Sequence, residues 1–412
     1  MKTGNEKLKT EKQIEVPYEL PEGWKWGTLG NECEMYQPKT ISTKDLVENG
    51  KYTVYGANGI IGKYNDYNHE ESQLLVTCRG ATCGAVNISE PFSWINGNAM
   101  VIKSKKNDLL RMYLYYLFMG QIDFNKIITG SAQPQITRQS LVEVLFPLPP
   151  LSEQQRIVNR IEYMFAKLDE AKEKAQIVVD SFETRKAAIL HQAFTGKLTA
   201  KWRKENGVSD DSWKEKKLED VLIEKPRNGY SITAVDYETP YKSMSLSATT
   251  SGYFRPEFYK YIDADISDDS FLWLKKGDIL IQRANSLDKV GTSAIYTGSE
   301  HEFIYPDLMM KLQVKVPTLY TFIAYQLKTE KTMAYFRNNA TGTAGNMPKI
   351  NQKTVCNLQI FVPTLPEQQE IVRILDNVLE KERTAKESAE NVLEQIDLLK
   401  KSVLARAFRG EL

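Results

Sequence analysis

The chain has 412 residues, 42% hydrophobic and 26% charged, with 54 basic against 53 acidic side chains and a net charge of +1. That length allows two or more domains, each with its own core, and the charge excludes a chain that is basic throughout, though not a local basic face. No apolar run approaches the roughly 18 residues of a membrane span. The first residues lack the apolar stretch of a signal peptide, and four scattered cysteines make neither a disulfide framework nor a zinc pattern; the expected compartment is the cytoplasm, with no metal site and no membrane partner.

In chain order, residues 1–16 read as a polar N-terminal tail. A turn-rich entry with aromatic anchors, Pro17-Tyr-Glu-Leu-Pro-Glu-Gly-Trp24, opens a first domain over 17–148. Within it Lys51–Tyr55 alternates as a strand does, Asn58-Gly59 is a turn signal, and Gln73–Thr77 and Ala99–Lys103 read as buried strands. Leu109–Met119 reads as a helix, 130–135 as a loop and Val142–Phe146 as a strand. The stretch 149–198 follows, then a charged linker at 199–211, a second domain at 212–362, and a final stretch at 363–412.

The stretches 149–198 and 363–412 are copies of one another. Adding 214 to a number in the first reaches its partner in the second without a gap, and Glu153, Gln154, Gln155, Ile157, Val158, Lys167, Ala171, Lys172, Phe194 and Gly196 all meet identical residues. The chain is thus a tandem of two similar halves. Ser152 with Gln155, and Thr364 with Glu367, have capping-box spacing, and Pro366 is acceptable in a first turn. Beyond these caps Ile157, Ile161, Met164, Leu168, Ala171, Ala175, Val178, Phe182 and Ile189 recur at the 3.5-residue period of a coiled-coil seam. Ile371, Leu375, Val378, Ala385, Ala389, Val392, Ile396, Leu399 and Val403 do the same. A seam of about 65 Å, at about 1.5 Å per residue, needs a partner, and the simplest is the other copy, antiparallel, with the midpoints near 173 and 387 together. In that register Arg185 and Glu382, which interrupt the two seams, do not meet and form no salt bridge.

The domains between the helices share a layout but few residues. Trp24 is echoed by Trp213, Gln73–Arg79 by Gly277–Arg283, the helix at 109–119 by Leu319–Leu327, and the loop 130–136 by 342–350. The fold class is therefore α+β: two mixed domains separated by two long helices in a pseudo-twofold tandem. Two similar frames with divergent surfaces fit two readers of different targets.

Catalytic motifs fall short. Gly56-Ala-Asn-Gly-Ile-Ile-Gly-Lys-Tyr has the wrong spacing for a phosphate-binding loop and a tyrosine where the hydroxyl for magnesium belongs. Leu148-Pro-Pro-Leu151 lacks the polar residue of an amino-methyltransferase motif, and no Glu-x-Lys follows Pro306-Asp307 as a nuclease would need. No catalytic residue is assigned. What remains is recognition chemistry: Lys63, Tyr64, Thr77, Arg79, Gln133, Gln135, Thr137 and Arg138 in the first domain, and Tyr241, Lys242, Ser243, Gln282, Arg283, Asn285, Lys289, Asn346, Lys349 and Lys353 in the second. Arginine can pair with guanine, asparagine and glutamine with adenine, and lysine with phosphate.

The pattern Pro-Leu-Pro-x-Leu-x-Glu-Gln-Gln-x-Ile-Val, followed by a long helix ending Ala-Phe-x-Gly-x-Leu, twice per chain, resembles the specificity subunit of type I restriction–modification systems. The resemblance covers the whole chain. It implies that 17–148 and 212–362 are target recognition domains, each reading half of a bipartite double-stranded DNA site. It implies that the repeated helices set the spacing and dock two methyltransferase subunits, and through them restriction subunits. S-adenosylmethionine, ATP and magnesium are then expected on those partners and not on this chain. The residues alone leave two other readings open, a stand-alone bipartite DNA-binding regulator and a nuclease built on Asp307.

Overall fold

The computed structural model describes residues 17–106, 109–130, 134–315, 319–342 and 347–412; the tail at 1–16, Gln133 and Asn346 lie outside them. The chain divides into two units, one formed by its first 176 residues together with Glu390–Leu412 and the other by Ile177–Ala389. Each unit holds one recognition domain, half of the long helix Leu151–Phe194 and half of the long helix Leu365–Ala407.

In the first unit Lys25–Thr28 pairs antiparallel with Leu145–Leu148 and ties the start of the domain to its end. Cys33–Tyr36, Ala99–Ser104, Leu74–Thr77 and Val86–Ile88 form an antiparallel sheet in that order. Leu74–Thr77 lies inside the sheet and is buried along its whole length, which is why its sequence runs apolar instead of alternating. A hairpin, Tyr52–Gly56 with Gly59–Tyr64, adds Trp94–Ile95 in parallel as a second sheet. The helix Arg111–Gly120 places Tyr113, Leu114, Leu117 and Phe118 in a core that also holds Ile157, Ile161 and Leu404 from the two long helices and Phe408 just beyond the second. The expected strand at Val142–Phe146 is instead a short helix, Arg138–Val142, followed by the strand Leu145–Leu148: the Thr137 hydroxyl accepts from the Ser140 N–H and starts a helical turn.

The second unit repeats this plan. Lys214–Lys217 pairs with Gln359–Val362. One sheet runs Arg227–Asn228, Met309–Leu312, Ile279–Gln282, Ser293–Ile295, and the other Ala234–Val235, Tyr259–Ile262, Tyr241–Met244, Phe303–Ile304. The helix Leu319–Leu327 packs with Leu190 and Ala193 of the first long helix and with Ile371, Leu375 and Leu379 of the second. Two details fix the structural alignment. Phe322 packs at a tilt against Phe194 with centroids 5.2 Å apart, as Tyr113 packs edge-on against Phe408, and Gly291 lies against Phe336 as Gly84 does against Phe124.

Both pairs of helix halves run antiparallel, as expected, but not in the expected register. In the second unit Arg185 Nε lies 2.7 Å from Glu382 Oε2, so the two interrupting residues do form a salt bridge. A pseudo-twofold through 173 and 387 would set Arg185 opposite residue 375; the real contact is seven residues, one heptad, further on. In the first unit Lys400 reaches Asp169. The start of each helix is packed into a recognition domain and not into the seam: Ile157, Val158 and Ile161 lie in the first core and Ile371 and Leu375 in the second. The Gln154 amide accepts from the Leu110 N–H and donates to the Pro149 carbonyl, and Gln368 donates to Pro363 O. The capping boxes are accordingly not built. The first long helix starts at Leu151, on the Pro150 carbonyl, so Ser152 is already helical, and Glu367 points away from Thr364.

The seam of the second helix also differs on one side. Ala389, Ile396 and Val403 are buried as expected, but Val392 and Leu399 are exposed, and Lys386, Leu393 and Lys400 turn inward in their place. The ammonium groups of Lys386 and Lys400 lie 5.0 Å above the rings of Phe182 and Phe165, so the lysine stems cover the seam while the charges leave it.

The charged stretch 199–211 has a structure of its own. Ala200–Glu205 is helical, and Arg203 is buried against Glu367 at 2.6 Å and Asp210 at 2.9 Å. Glu367 also accepts from Thr199 Oγ1 and Trp213 Nε1, so a carboxylate with no exposed surface is met by donors on two sides.

Candidate nucleic-acid interface

In the first unit three pieces of backbone meet at one sheet end. After Leu74–Thr77 the chain turns through 78–85, where Gly84 N–H donates to Thr77 O at 2.9 Å. Gly84 has φ +91, and its missing Cβ leaves room for the Phe124 ring. The segment 134–138 crosses this turn: Gly80 N–H donates to Pro134 O at 3.2 Å and Ile136 N–H to Cys78 O at 2.9 Å, which sets Arg79 opposite Gln135. The hairpin tip joins through the Thr77 hydroxyl, which donates to Ala57 O. Arg79, Gln135, Thr137 and Arg138 are therefore exposed on adjoining backbone, with Thr137 committed to its cap.

The second unit builds the same crossing. Gly291 N–H donates to Gln282 O, Asn285 N–H to Pro348 O and Ile350 N–H to Arg283 O, so Lys349 lies opposite Ala284. The equivalence is thus Thr77 with Gln282 and Arg79 with Ala284, one residue off the alignment of Arg79 with Arg283. In a strand one residue reverses the face. Arg283 is accordingly half-buried and donates from Nη1 to Asp307 O at 3.2 Å, while Arg79 is exposed.

Several expected contact residues serve the frame. Thr77 is buried, and Gln282 is fully buried, its Nε2 donating to Leu246 O and to the hydroxyls of Thr249 and Thr250. Asn285 donates to Gln282 Oε1 at 2.6 Å. Ser243 is buried, Tyr241 packs on Trp273, and Lys242 stands over Tyr259 and Phe303. Tyr64 packs edge-on against Trp94, and Lys63, although exposed, lies at the far end of the hairpin from the tip that meets Thr77. The side chains left on the crossing are Arg79, Gln135 and Arg138 in one unit and Lys289, Lys349 and Lys353 in the other. Among the described residues Arg79, Arg138, Lys349 and Lys353 form no ion pair. Leu287 and Met347, about half exposed on the same second-unit loops, were not anticipated because only polar side chains carried a signal in the sequence. Apolar groups there can meet a thymine methyl. Asp307 is no free carboxylate: it accepts from the Ser231 hydroxyl.

Exposed cations thus stand on two equivalent loop crossings, with the Gln135 amide beside those of the first. The model of the type I restriction modification DNA specificity domain matches residues 21–178 and 210–395, one copy in each half. The chain belongs to this family of specificity subunits. It is 28% identical over 294 residues to the EcoKI specificity subunit of Escherichia coli K12, an alignment spanning 70% of this chain and 62% of that one. It is 23% identical to the Escherichia coli EcoDI specificity subunit over 95% of this chain and 89% of that one. The fold matches the crystal structure of the HsdS subunit from Thermoanaerobacter tengcongensis with a TM-score of 0.63 at 19% identity, over 96% and 99% of the two chains. A structure described in work on complex assembly and conformational transition of the type I restriction–modification system matches at 0.70 and 18%, over 96% and 100%.

Proposed function

We propose that this chain reads a bipartite duplex DNA site for a type I restriction–modification complex and leaves methylation and cleavage to other subunits. Each loop crossing takes one half-site: Arg79, Gln135 and Arg138 in the first unit, Lys289, Lys349 and Lys353 in the second. The observation that carries the reading is that the same backbone crossing, Ile136 to Cys78 and Ile350 to Arg283, presents cations without ion-pair partners in both units. Arginine with glutamine suits base edges, whereas lysines suit phosphate, so the first crossing contributes more to sequence choice and the second more to hold.

The exposed apolar side chains of the long helices, Tyr163, Leu398, Leu399 and Val392 in the first unit and Ile177 in the second, are the surface on which two methyltransferase subunits dock. With a net charge of only +1 the chain alone neutralises few phosphates. Titration of labelled duplex is expected to give weak, salt-sensitive binding by the chain and tight binding once its methyltransferase is added. Equal affinity with and without that partner would favour a stand-alone regulator. Mapping methylated adenines in the host genome gives both half-sites and their spacing.

A further inference from the structure

The second unit contains a cavity of about 700 Å³ that the reading above does not use. It lies where the first long helix ends, and its walls include Phe194, Phe361, Trp213 and Gln326. Gln326 is 5% exposed, and its side-chain Oε1 has no hydrogen-bond partner among the described residues. A buried acceptor without a donor costs about 1–3 kcal/mol, so the cavity suits a ligand that brings an O–H or N–H. Lys197 and Lys331 line it and are exposed, and neither forms an ion pair among the described residues. Of the lining carboxylates, Glu330 pairs with Arg337 and Asp210 with Arg203, which leaves the two lysines and favours a ligand that also carries negative charge.

The first unit shows how this region closes when no cavity is left. Its counterparts of Phe194, Gly196 and Phe361 are Phe408, Gly410 and Pro147, and on that surface lies the chain's own segment 18–21. The Tyr18 hydroxyl donates to Phe408 O at 2.9 Å, its ring stands edge-on to Trp26 at 5.0 Å, and Pro21 rests against Gly410. In the second unit the corresponding stretch is the 199–212 brace. It puts Arg203, not a tyrosine, beside Gly196, and draws it toward Glu367. Thr329 stands where the first unit has Gly120, whose Cβ, if present, would meet Leu404, and Gln326 stands in place of Leu117. A larger residue and a polar one thus replace the two that close this region in the first unit.

We propose that this cavity, beside the brace, is a docking site for an extended, acidic partner segment carrying a tyrosine. The aromatic walls take the ring, Gln326 Oε1 accepts from the hydroxyl, and Lys197 and Lys331 pair with flanking carboxylates. The probe is fluorescein-labelled Pro-Tyr-Glu-Leu-Pro-Glu-Gly, the sequence of residues 17–23, titrated with the full chain in fluorescence anisotropy. Saturable binding is expected, weakened about tenfold or more by Ala187→Trp, which fills the cavity from an exposed helix position, by Gln326→Leu, and by alanine for the peptide's tyrosine. Lys331→Glu should weaken it about threefold or more. Unchanged melting of the Ala187→Trp chain keeps that test independent of folding. No saturation, or equal binding by the Ala187→Trp chain, overturns the proposal. So does competition by N-acetyltyrosinamide as effective as that of the unlabelled peptide, which would assign the cavity to a small aromatic molecule.

Discussion

Glu153 and Glu367 are the same residue of the repeat in two settings. Glu153 lies at the surface of the first unit, bound to Arg156 one turn on; Glu367 is fully buried and holds Arg203, Thr199 and Trp213. The helices are alike, so the difference comes from what packs on them. The repeat supplies a carboxylate at the start of each helix, and the neighbouring chain decides whether it is a solvated ion pair or the centre of a buried network. Arg156 also donates to Leu412 O, so even the exposed pair helps to hold the chain's last residues.

The comparison breaks first at these two residues. Glu367→Ala leaves Arg203 buried without its closest counter-charge and should cost about 3–5 kcal/mol, whereas Glu153→Ala should cost at most about 1 kcal/mol. Chemical denaturation of the two variants measures both, and equal losses would mean that burial does not separate them. The turn glycines test sameness instead. Gly291→Ala and Gly84→Ala each put a Cβ at positive φ against a phenylalanine ring, and each should cost about 2–3 kcal/mol.

The two loop crossings come next. Arg79→Ala should weaken DNA binding by the assembled complex by about 1–3 kcal/mol and relax base choice in one half-site, while Lys349→Ala should weaken all sequences alike and lower the salt slope by about 1. Competition titrations at several salt concentrations separate the two outcomes.

A smaller effect lies at Lys328, where the first unit has Met119. Burial, with Lys186 nearby, lowers the Lys328 pKa to about 8. A base with a depressed folded pKa weakens the fold while it is charged in the unfolded chain, so its penalty is full below pH 8 and fades as pH rises toward 10.5. Lys328→Met should stabilise the chain by about 1–2 kcal/mol at pH 7, a gain discounted for the cation's contact with Tyr253. The gain should vanish near pH 10.5 in melting curves. Smallest is Arg185→Ala: the pair with Glu382 is partly solvated, and its loss should cost about 1 kcal/mol or less.

The tandem and the two long helices were legible because a 3.5-residue period and an offset of 214 are properties of the letters themselves. The inward face of the second helix was not. Val392 and Leu399 are apolar and turn out, while Lys386 and Lys400 turn in, since a lysine can cover a seam with its stem and an apolar side chain can wait for a partner. The strand ending at Gln282 was displaced by one because a strand buried on both faces has no alternation to fix its phase. Thr77 and Gln282 looked like contacts for the same reason that they are not: polar groups at a buried strand end need bonds, and the frame provides them.

The second unit is one continuous stretch of chain, but the first is closed by Leu404, Ala407 and Phe408, from the far end of the sequence. During synthesis the first recognition domain emerges with that apolar surface uncovered, and it closes only after the whole second unit has been made.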